Sequence, residues 1–532
     1  IPYLAVVIFL QTSSGAYRSE MSHYPDEASH VMSALMVHDY LASGLSAPPL
    51  SFARNFYVHY PKVGIGMWPP VFYGVAGIWM LLFGATQQSL LLLMAILGAL
   101  LASTLALFAL RIFGTVIAFA LGLLLVTLPS VQNATDMVLL DVPVSLLGFW
   151  SLWPLIRFFR TGQTRTAAAF GVIAALAMLT KANGIALVLV PVFLIALAGR
   201  YDLLTRRGLY VAALVVTCIG LPWQVVSFKM LSTSVPIARF EGVHLFKTLT
   251  FYLSVLLKDL GPGVSLFALL GLGVESVKLF RRSAGASLEM GGAASLLTAV
   301  VVFHSINPTP AEERYVLAAF PMLLLCFAAG VKWTAQILSQ RLPFSTPETV
   351  LVVALFMLAF WGRSFSIPTL SELGFARVAR LLSSPEMRDD SLLVCSDANG
   401  EGAFIVEMAL RDRRPQHFVL RASKVISDNP WTPTQRRPNF RTAEELSAFL
   451  DSVPVGTVVV DRSKWIWEED QALLSQTLNQ LPAQWSLVLD IPASTTSRNI
   501  SVYRRRNTLQ GRGIQVRIPM KYTLGGELEV RR

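Results

Sequence analysis

Charge is what this sequence has least of. Only 14% of its 532 residues are Asp, Glu, Lys or Arg, while 54% are hydrophobic; soluble domains carry roughly 25% charged residues. Most of the chain therefore belongs in a bilayer, and an uncharged run such as Ser89 to Leu110 is long enough to cross about 30 Å of hydrocarbon as a helix. Cysteine is almost missing too. Cys218 and Cys326 lie in apolar runs and Cys395 in the C-terminal part, with no CxxC, so neither a disulfide framework nor a zinc site of thiolates is implied. The seven histidines show no metal-ligand spacing. There is no internal repeat of the kind that many transporters carry. The net charge of +11 would suggest nucleic acid for a soluble protein. Here the excess sits in short loops between apolar segments, which makes it a record of topology and implies no nucleic-acid partner.

Charge returns after about residue 363. The sequence therefore reads as two parts: a polytopic α-helical membrane region, 1–362, and a water-facing domain, 363–532, of ordinary domain size. The chain begins at Ile1, and IPYLAVVIFL is too short to span alone, which reads as a first helix lacking its start. Basic clusters at Arg111, at Arg157, Arg160 and Arg165, at Arg200, Arg206 and Arg207, at Lys278, Arg281 and Arg282, and at Lys332 and Arg341 mark the cytoplasmic side. Between them the expected spans fall near 88–110, 113–129, 142–156, 167–180, 184–199, 209–229, 260–280, 286–304, 314–331 and 347–361. With the first helix this makes about eleven transmembrane helices. The opposite ends then hold Asp136 and Asp141, Lys181, Arg239 and Glu241, and Glu312 and Glu313. Were 69–83 (PPVFYGVAGIWMLLF) to span, every later loop would flip, so it is expected to lie along the outer interface, anchored by Trp68, Tyr73 and Trp79. The first outer loop, 13–87, is then long and extracytoplasmic.

Four groups on that outer side can carry chemistry. Asp26 and Glu27, in YPDE, can serve as a general base; Pro, Asp and Glu are equally ordinary residues of a helix's first turn. Asp141 opens an apolar span, either as a paired functional acid or as a helix cap with Pro143 two residues on. Lys181, in LTKANG, sits at a turn where a lipid phosphate would be met, or snorkels to headgroups. Arg314 and Tyr315 begin a span from the outside and form either a phosphate contact or an interfacial anchor. His59 and Lys62, in YVHYPKVG, are lesser candidates, and a divalent metal stays open. Each motif alone is unspecific; what they share is one face of the membrane.

In this order the motifs resemble those of the GT-C superfamily of membrane glycosyltransferases, in the bacterial branch related to protein O-mannosyltransferases and lipid A aminoarabinose transferases. The resemblance rests on Asp26-Glu27 in the first outer loop, WPPVFYGVAGIWMLLFG (68–84), LLDVPVSLLGFW, LTKANG and ERYVLAAFPMLL, and covers about residues 15–330. It implies a GT-C fold that moves a sugar, with inversion, from a polyprenyl-phosphate donor to a lipid, glycan or protein acceptor on the outer face of a bacterial inner membrane. By carry-over, Asp26 is the base and Glu27 its neighbour, Lys181 and Arg314 contact the lipid phosphate, and Asp141 supports them. Aminoarabinose transferases carry a Glu-Lys pair before the interfacial proline, where this chain has Met67-Trp68. Neither a metal bridged from that loop nor lipid A as acceptor is therefore implied, and His59 or Lys62 stands in as substitute. The competing reading is a transporter or flippase for a lipid-linked glycan, whose expected mid-span charges are scarce here.

In the C-terminal part, SLLVCS, QHFVLRA, GTVVVDR, SLVLDI and ISVYRRR read as strands interleaved with the helices EGAFIVEMALRD and TAEELSAFLDSV. That pattern predicts an extracytoplasmic α/β domain with a largely parallel sheet. SDANGEG after the first strand invites a phosphate-loop reading but lacks GxGxxG or Walker spacing.

Overall fold

The structure, a computed structural model, describes every residue except 232–241, 284, 308–310, 342–347, 362–365, 388–390, 429–436, 454, 464–468, 507–514, 521–525 and 532. Arg239 and Glu241, and the expected boundary at 362–363, lie outside the described residues.

Among the described residues six helices are long and apolar enough to cross a membrane: Gln87–Phe113, Asp141–Thr161, Arg207–Lys229, Leu245–Phe280, Leu288–Ile306 and Glu313–Arg341. A seventh arises if Thr115–Val126 and Pro129–Asp136, bent by 61°, count as one. The bend falls where Pro129 opens the second helix, since proline fits a first turn but cannot continue the one before it. Shorter apolar helices cover Pro2–Ser14, Val71–Phe83, Thr164–Met178, Ala182–Ala198 and Glu348–Phe360. Every expected span coincides with one of these helices. The addition is at 242–260, which is helical and joins the expected 260–280 span through a break at Gly261 (φ 75°) followed by Pro262.

The segment between Pro2–Ser14 and Gln87–Phe113, expected to be the first outer loop, is itself helical. Pro25–Ala42 and Pro49–His59 each start on a proline, and Val71–Phe83 follows Pro69-Pro70. The last of these buries Phe72, Tyr73, Ala76, Gly77 and Met80 on one side while Ile78, Leu82 and Phe83 stay more than half exposed on the other. A short helix with one apolar face uncovered suits a position along a membrane surface. Its aromatics differ from the expected interfacial belt. Tyr73 points inward to His30 (2.8 Å), Trp68 packs on the same imidazole (centroids 4.7 Å apart), and the Trp79 indole N–H donates to the Ser89 carbonyl (2.8 Å).

The C-terminal part holds a five-stranded sheet in the order Phe418–Arg421, Ser391–Cys395, Thr457–Asp461, Ile500–Arg505, Trp485–Ile491. Its first three strands are parallel and its last two pairings antiparallel. The sheet is thus mixed and not largely parallel as expected. The final two strands form a hairpin, and an antiparallel pair needs no crossover helix. Helices Ala398–Arg411, Ala443–Ser452 and Glu469–Gln480 cross between strands. The SDANGEG segment holds no phosphate loop. Asp397 caps its own helix by accepting from Gly400 N (2.7 Å) and pairs with Arg498 (2.9 Å), so a carboxylate already occupies the helix N-terminus.

This sheet domain sits directly on the first long loop. Glu20 accepts from the N–H groups of Leu373, Gly374 and Ala376 (2.6, 2.8 and 3.0 Å), anchoring the start of helix Phe375–Leu382. Arg414 grips Asp39 with two bonds (2.7 and 3.0 Å), and Tyr60 donates to Asp412 (2.8 Å). Gly402 is what lets the two parts touch. A Cβ there would lie 2.6 Å from Ser22 Oγ and 2.8 Å from Ala28 Cβ.

Candidate functional site

Three pieces of backbone far apart in sequence meet at one end of the helical bundle: the start of helix Pro25–Ala42, the 179–184 turn, and the 3-10 helix Glu313–Ala319. Asp26 lies in the first turn of its helix, where Pro25 fixes the backbone and the helix dipole favours an anion. Lys181 is extended (φ −148°), and Gly184 N closes a turn onto its carbonyl (2.8 Å). Gly184 is needed because a Cβ would lie 2.5 Å from the Ala177 carbonyl carbon.

Three ion pairs hold the centre together. Arg314 Nη2 donates to Asp26 Oδ2 (2.6 Å) and its Nε to Glu312 Oε2 (2.6 Å), while Lys181 Nζ donates to Asp141 Oδ1 (2.6 Å). Tyr24 OH also reaches Glu312 Oε2 (2.5 Å). The pairs share an aromatic wall. Lys181 Nζ lies 5.1 Å and the Arg314 guanidinium 5.6 Å from the Tyr315 ring centroid, and Arg314 lies 4.2 Å from that of Tyr24. Such contacts attract cations to ring faces and fix where they stand. Behind Tyr315, His304 stacks on its ring (5.2 Å, 15°).

Exposure separates the acids. The Asp26 side chain is 25% exposed and Asp141 2%. A substrate can reach the first and not the second. Burial pushes the Asp26 carboxyl up, but Arg314, with help from His30 and Lys181, outweighs this and holds it below the ordinary range. Burial drives the Lys181 ammonium down, with Asp141 opposing. His30 is pushed down to about 3 by burial, against the pull of Asp26, so it is neutral at pH 7.

The sequence-predicted residues divide. Asp26, Asp141, Lys181, Arg314 and Tyr315 come together. Glu27 turns away from them: it is buried and accepts from Ser22 N (2.7 Å), His23 N (3.0 Å) and Val138 N (3.2 Å), which ties the first loop to the chain just before Asp141. Burial raises its carboxyl to about 7. His59 and Lys62 belong to the contact with the C-terminal domain. The His59 ring bonds the His417 carbonyl (3.1 Å) and packs on Phe418 (4.1 Å), and Lys62 Nζ donates to the Ala398 carbonyl (3.0 Å). Each thus takes part in joining the two parts, and Lys62 also lies within electrostatic reach of Asp26. Among the described residues no three of His, Cys, Asp and Glu are grouped to hold a metal ion.

Glu312, Tyr24 and His304 are additions that the sequence reading did not select. Glu312 and Tyr24 flank residues that it did, in AEERY and YPDE, and adjacency was the only signal; their mutual contact spans 288 positions.

Charged groups are thus gathered at one end of a bundle of apolar helices, beneath the first loop and a small α/β domain. Residues 68–225 match the family model for dolichyl-phosphate-mannose-protein mannosyltransferases. The fold is similar to that of ArnT from Cupriavidus metallidurans bound to undecaprenyl phosphate, at 16% identity and a TM-score of 0.56 over 94% of this chain and 97% of that one. It is also similar to the Archaeoglobus fulgidus oligosaccharyltransferase in complex with Zn and sulfate (12% identity, TM-score 0.53, 86% of this chain and 68% of that one). The same enzyme tethered to an acceptor peptide matches at 11% identity and a TM-score of 0.54, over 95% of this chain and 74% of that one. No curated protein sequence matches the chain. The likeness to these solved structures is one of fold.

Proposed function

We propose that this protein transfers a sugar, with inversion, from a polyprenyl-phosphate donor to a hydroxyl-bearing lipid, glycan or protein acceptor on the outer face of a bacterial inner membrane. Asp26 is the base, Arg314 and Lys181 bind the donor phosphate, and Asp141 orients Lys181. The observation that carries the reading is the Asp26–Arg314 pair, a reachable carboxylate held 2.6 Å from a cation in a site whose second cation stands over the same tyrosine.

The chemistry follows from charge. Asp26, Glu312 and Asp141 face two cations, Arg314 and Lys181, so a phosphate can gain full pairing only by displacing a carboxylate. Asp141 is buried and Glu312 is braced by Tyr24, which leaves Asp26 as the acid to be released. Donor binding thus turns Arg314 toward the phosphate and frees Asp26, whose basicity rises as its cation leaves. The acceptor hydroxyl attacks the anomeric carbon and gives its proton to Asp26. The bond from that carbon to the phosphate oxygen breaks, and its electron pair leaves with polyprenyl phosphate. The leaving phosphate carries more charge than the donor, so Arg314 and Lys181 stabilise the transition state more than the ground state.

The test is incubation of purified protein with a panel of labelled polyprenyl-phosphate sugars and a membrane extract as source of acceptor. Release of polyprenyl phosphate together with a labelled product is expected. Transbilayer movement of an intact lipid-linked glycan in liposomes, with no cleavage for any donor, would instead support a transporter.

A further inference from the structure

At the other end of the bundle lies a second site that the transfer reaction does not use. Helix Asp141–Thr161 carries Asp141 at the candidate active site and Arg157 toward its opposite end, roughly 24 Å away at 1.5 Å per residue. There a cavity of about 830 Å³ opens between this helix, Gln87–Phe113 and Thr164–Met178. Its rim holds Arg111, Arg157 and Arg165, and its wall holds Leu107, Trp153 and Ile156. Arg160 on the same rim is paired with Glu289 (2.5 Å), whereas Arg111 and Arg157 have no carboxylate partner among the described residues. Leu107 is 59% and Trp153 37% exposed, so the apolar wall is open to the bilayer.

We propose that this cavity binds an anionic phospholipid, its headgroup phosphate on Arg111, Arg157 and Arg165 and an acyl chain along Leu107, Trp153 and Ile156. Two features commit the site to a lipid. A soluble anion would need the arginines alone, but here the cations rim a lipid-facing apolar wall. The excess of positive charge matches an anionic headgroup and not a zwitterionic one, and arginines between helices at a membrane surface meet phosphates bidentately. The site does not depend on the transferase reading, since none of its residues touches Asp26, Lys181 or Arg314.

The experiment uses purified, delipidated full-length protein, with bound lipid counted by native mass spectrometry after adding phosphatidylglycerol or phosphatidylcholine. The wild type is expected to retain phosphatidylglycerol selectively. Combined Arg111→Gln, Arg157→Gln and Arg165→Gln substitution is expected to weaken retention about tenfold or more, with an unchanged melting temperature, while Arg157→Lys, which keeps the charge but loses the bidentate fork, falls between wild type and Arg157→Gln. Should the triple variant fail to fold, the single Arg111→Gln and Arg157→Gln variants carry the test, each with a several-fold loss. Glycerol phosphate at matched concentration should not displace the lipid; if it does so fully, the site is a plain anion site and the proposal falls. Equal retention of phosphatidylcholine, or full retention by folded variants, overturns it as well.

Discussion

Lys181 shows how two roles can sit on one side chain. Its ammonium is the partner of the buried Asp141 carboxylate as well as a proposed phosphate contact. Lys181→Ala is therefore expected to raise the donor dissociation constant roughly 10- to 100-fold, and also to destabilise the protein by about 3–5 kcal/mol, because it leaves a buried charge unpaired. Adding Asp141→Asn to Lys181→Met should restore the melting temperature without restoring donor affinity. Recovery of both would assign Lys181 to structure alone. That these residues gather was legible in the sequence, because scarce charges in a greasy chain stand out and the loop pattern put them on one face. Which acid met which cation was not. The Asp26–Arg314 bond joins positions 288 apart, and nothing local in YPDE tells that Asp26 faces the site while Glu27, its neighbour in the same turn, caps backbone N–H groups instead.

Lys62 offers a check by pH. Burial, then the nearby Arg421, lowers its ammonium to about 7 from the ordinary 10.5. Its folded pKa lies below the unfolded value, so the folded state favours the neutral amine. The cost of keeping it buried is absent above pH 10.5, grows as pH falls toward 7, and is constant below. Lys62→Met is accordingly expected to raise the melting temperature relative to wild type at pH 7, with the gain shrinking steadily toward pH 10. A gain independent of pH would refute the assigned titration.

At the scale of elements, the contact between the first long loop and the C-terminal domain holds the segment that carries Asp26. Glu20 on helix Phe375–Leu382 and Asp39 on Arg414 bind the domain to the two ends of the segment that contains Asp26. Asp39→Ala should cost about 1–3 kcal/mol and make the C-terminal domain more susceptible to limited proteolysis. A protease pattern identical to wild type would show that Arg414 does not secure it. Elements of this kind were read well where apolar periodicity or a proline start marked them, as in Pro25–Ala42 and Val71–Phe83. The helix at 242–260 was missed because Lys247, Lys258 and Asp259 interrupt its apolar pattern and Gly261-Pro262 reads as a boundary. The antiparallel edge of the sheet was missed because alternating strands and helices suggest crossovers, and the last two strands have none.

The whole molecule has charge at both ends of apolar helices: a mixed cluster of acids and cations beneath the first loop, and at the opposite end arginines of which Arg111 and Arg157 have no carboxylate partner among the described residues. The fold is similar to that of the solved membrane proteins compared above, and in the proposed mechanism Asp26 is the base that Arg314 releases when a donor phosphate arrives. The most direct measurement is turnover by purified Asp26→Asn with a labelled polyprenyl-phosphate sugar that the wild type cleaves, alongside the donor's dissociation constant. Release of polyprenyl phosphate is expected to fall by a factor of about 100 or more, while the donor binds as tightly as to wild type or tighter, because Arg314 no longer has to leave a carboxylate. Wild-type turnover by the folded variant would contradict that mechanism.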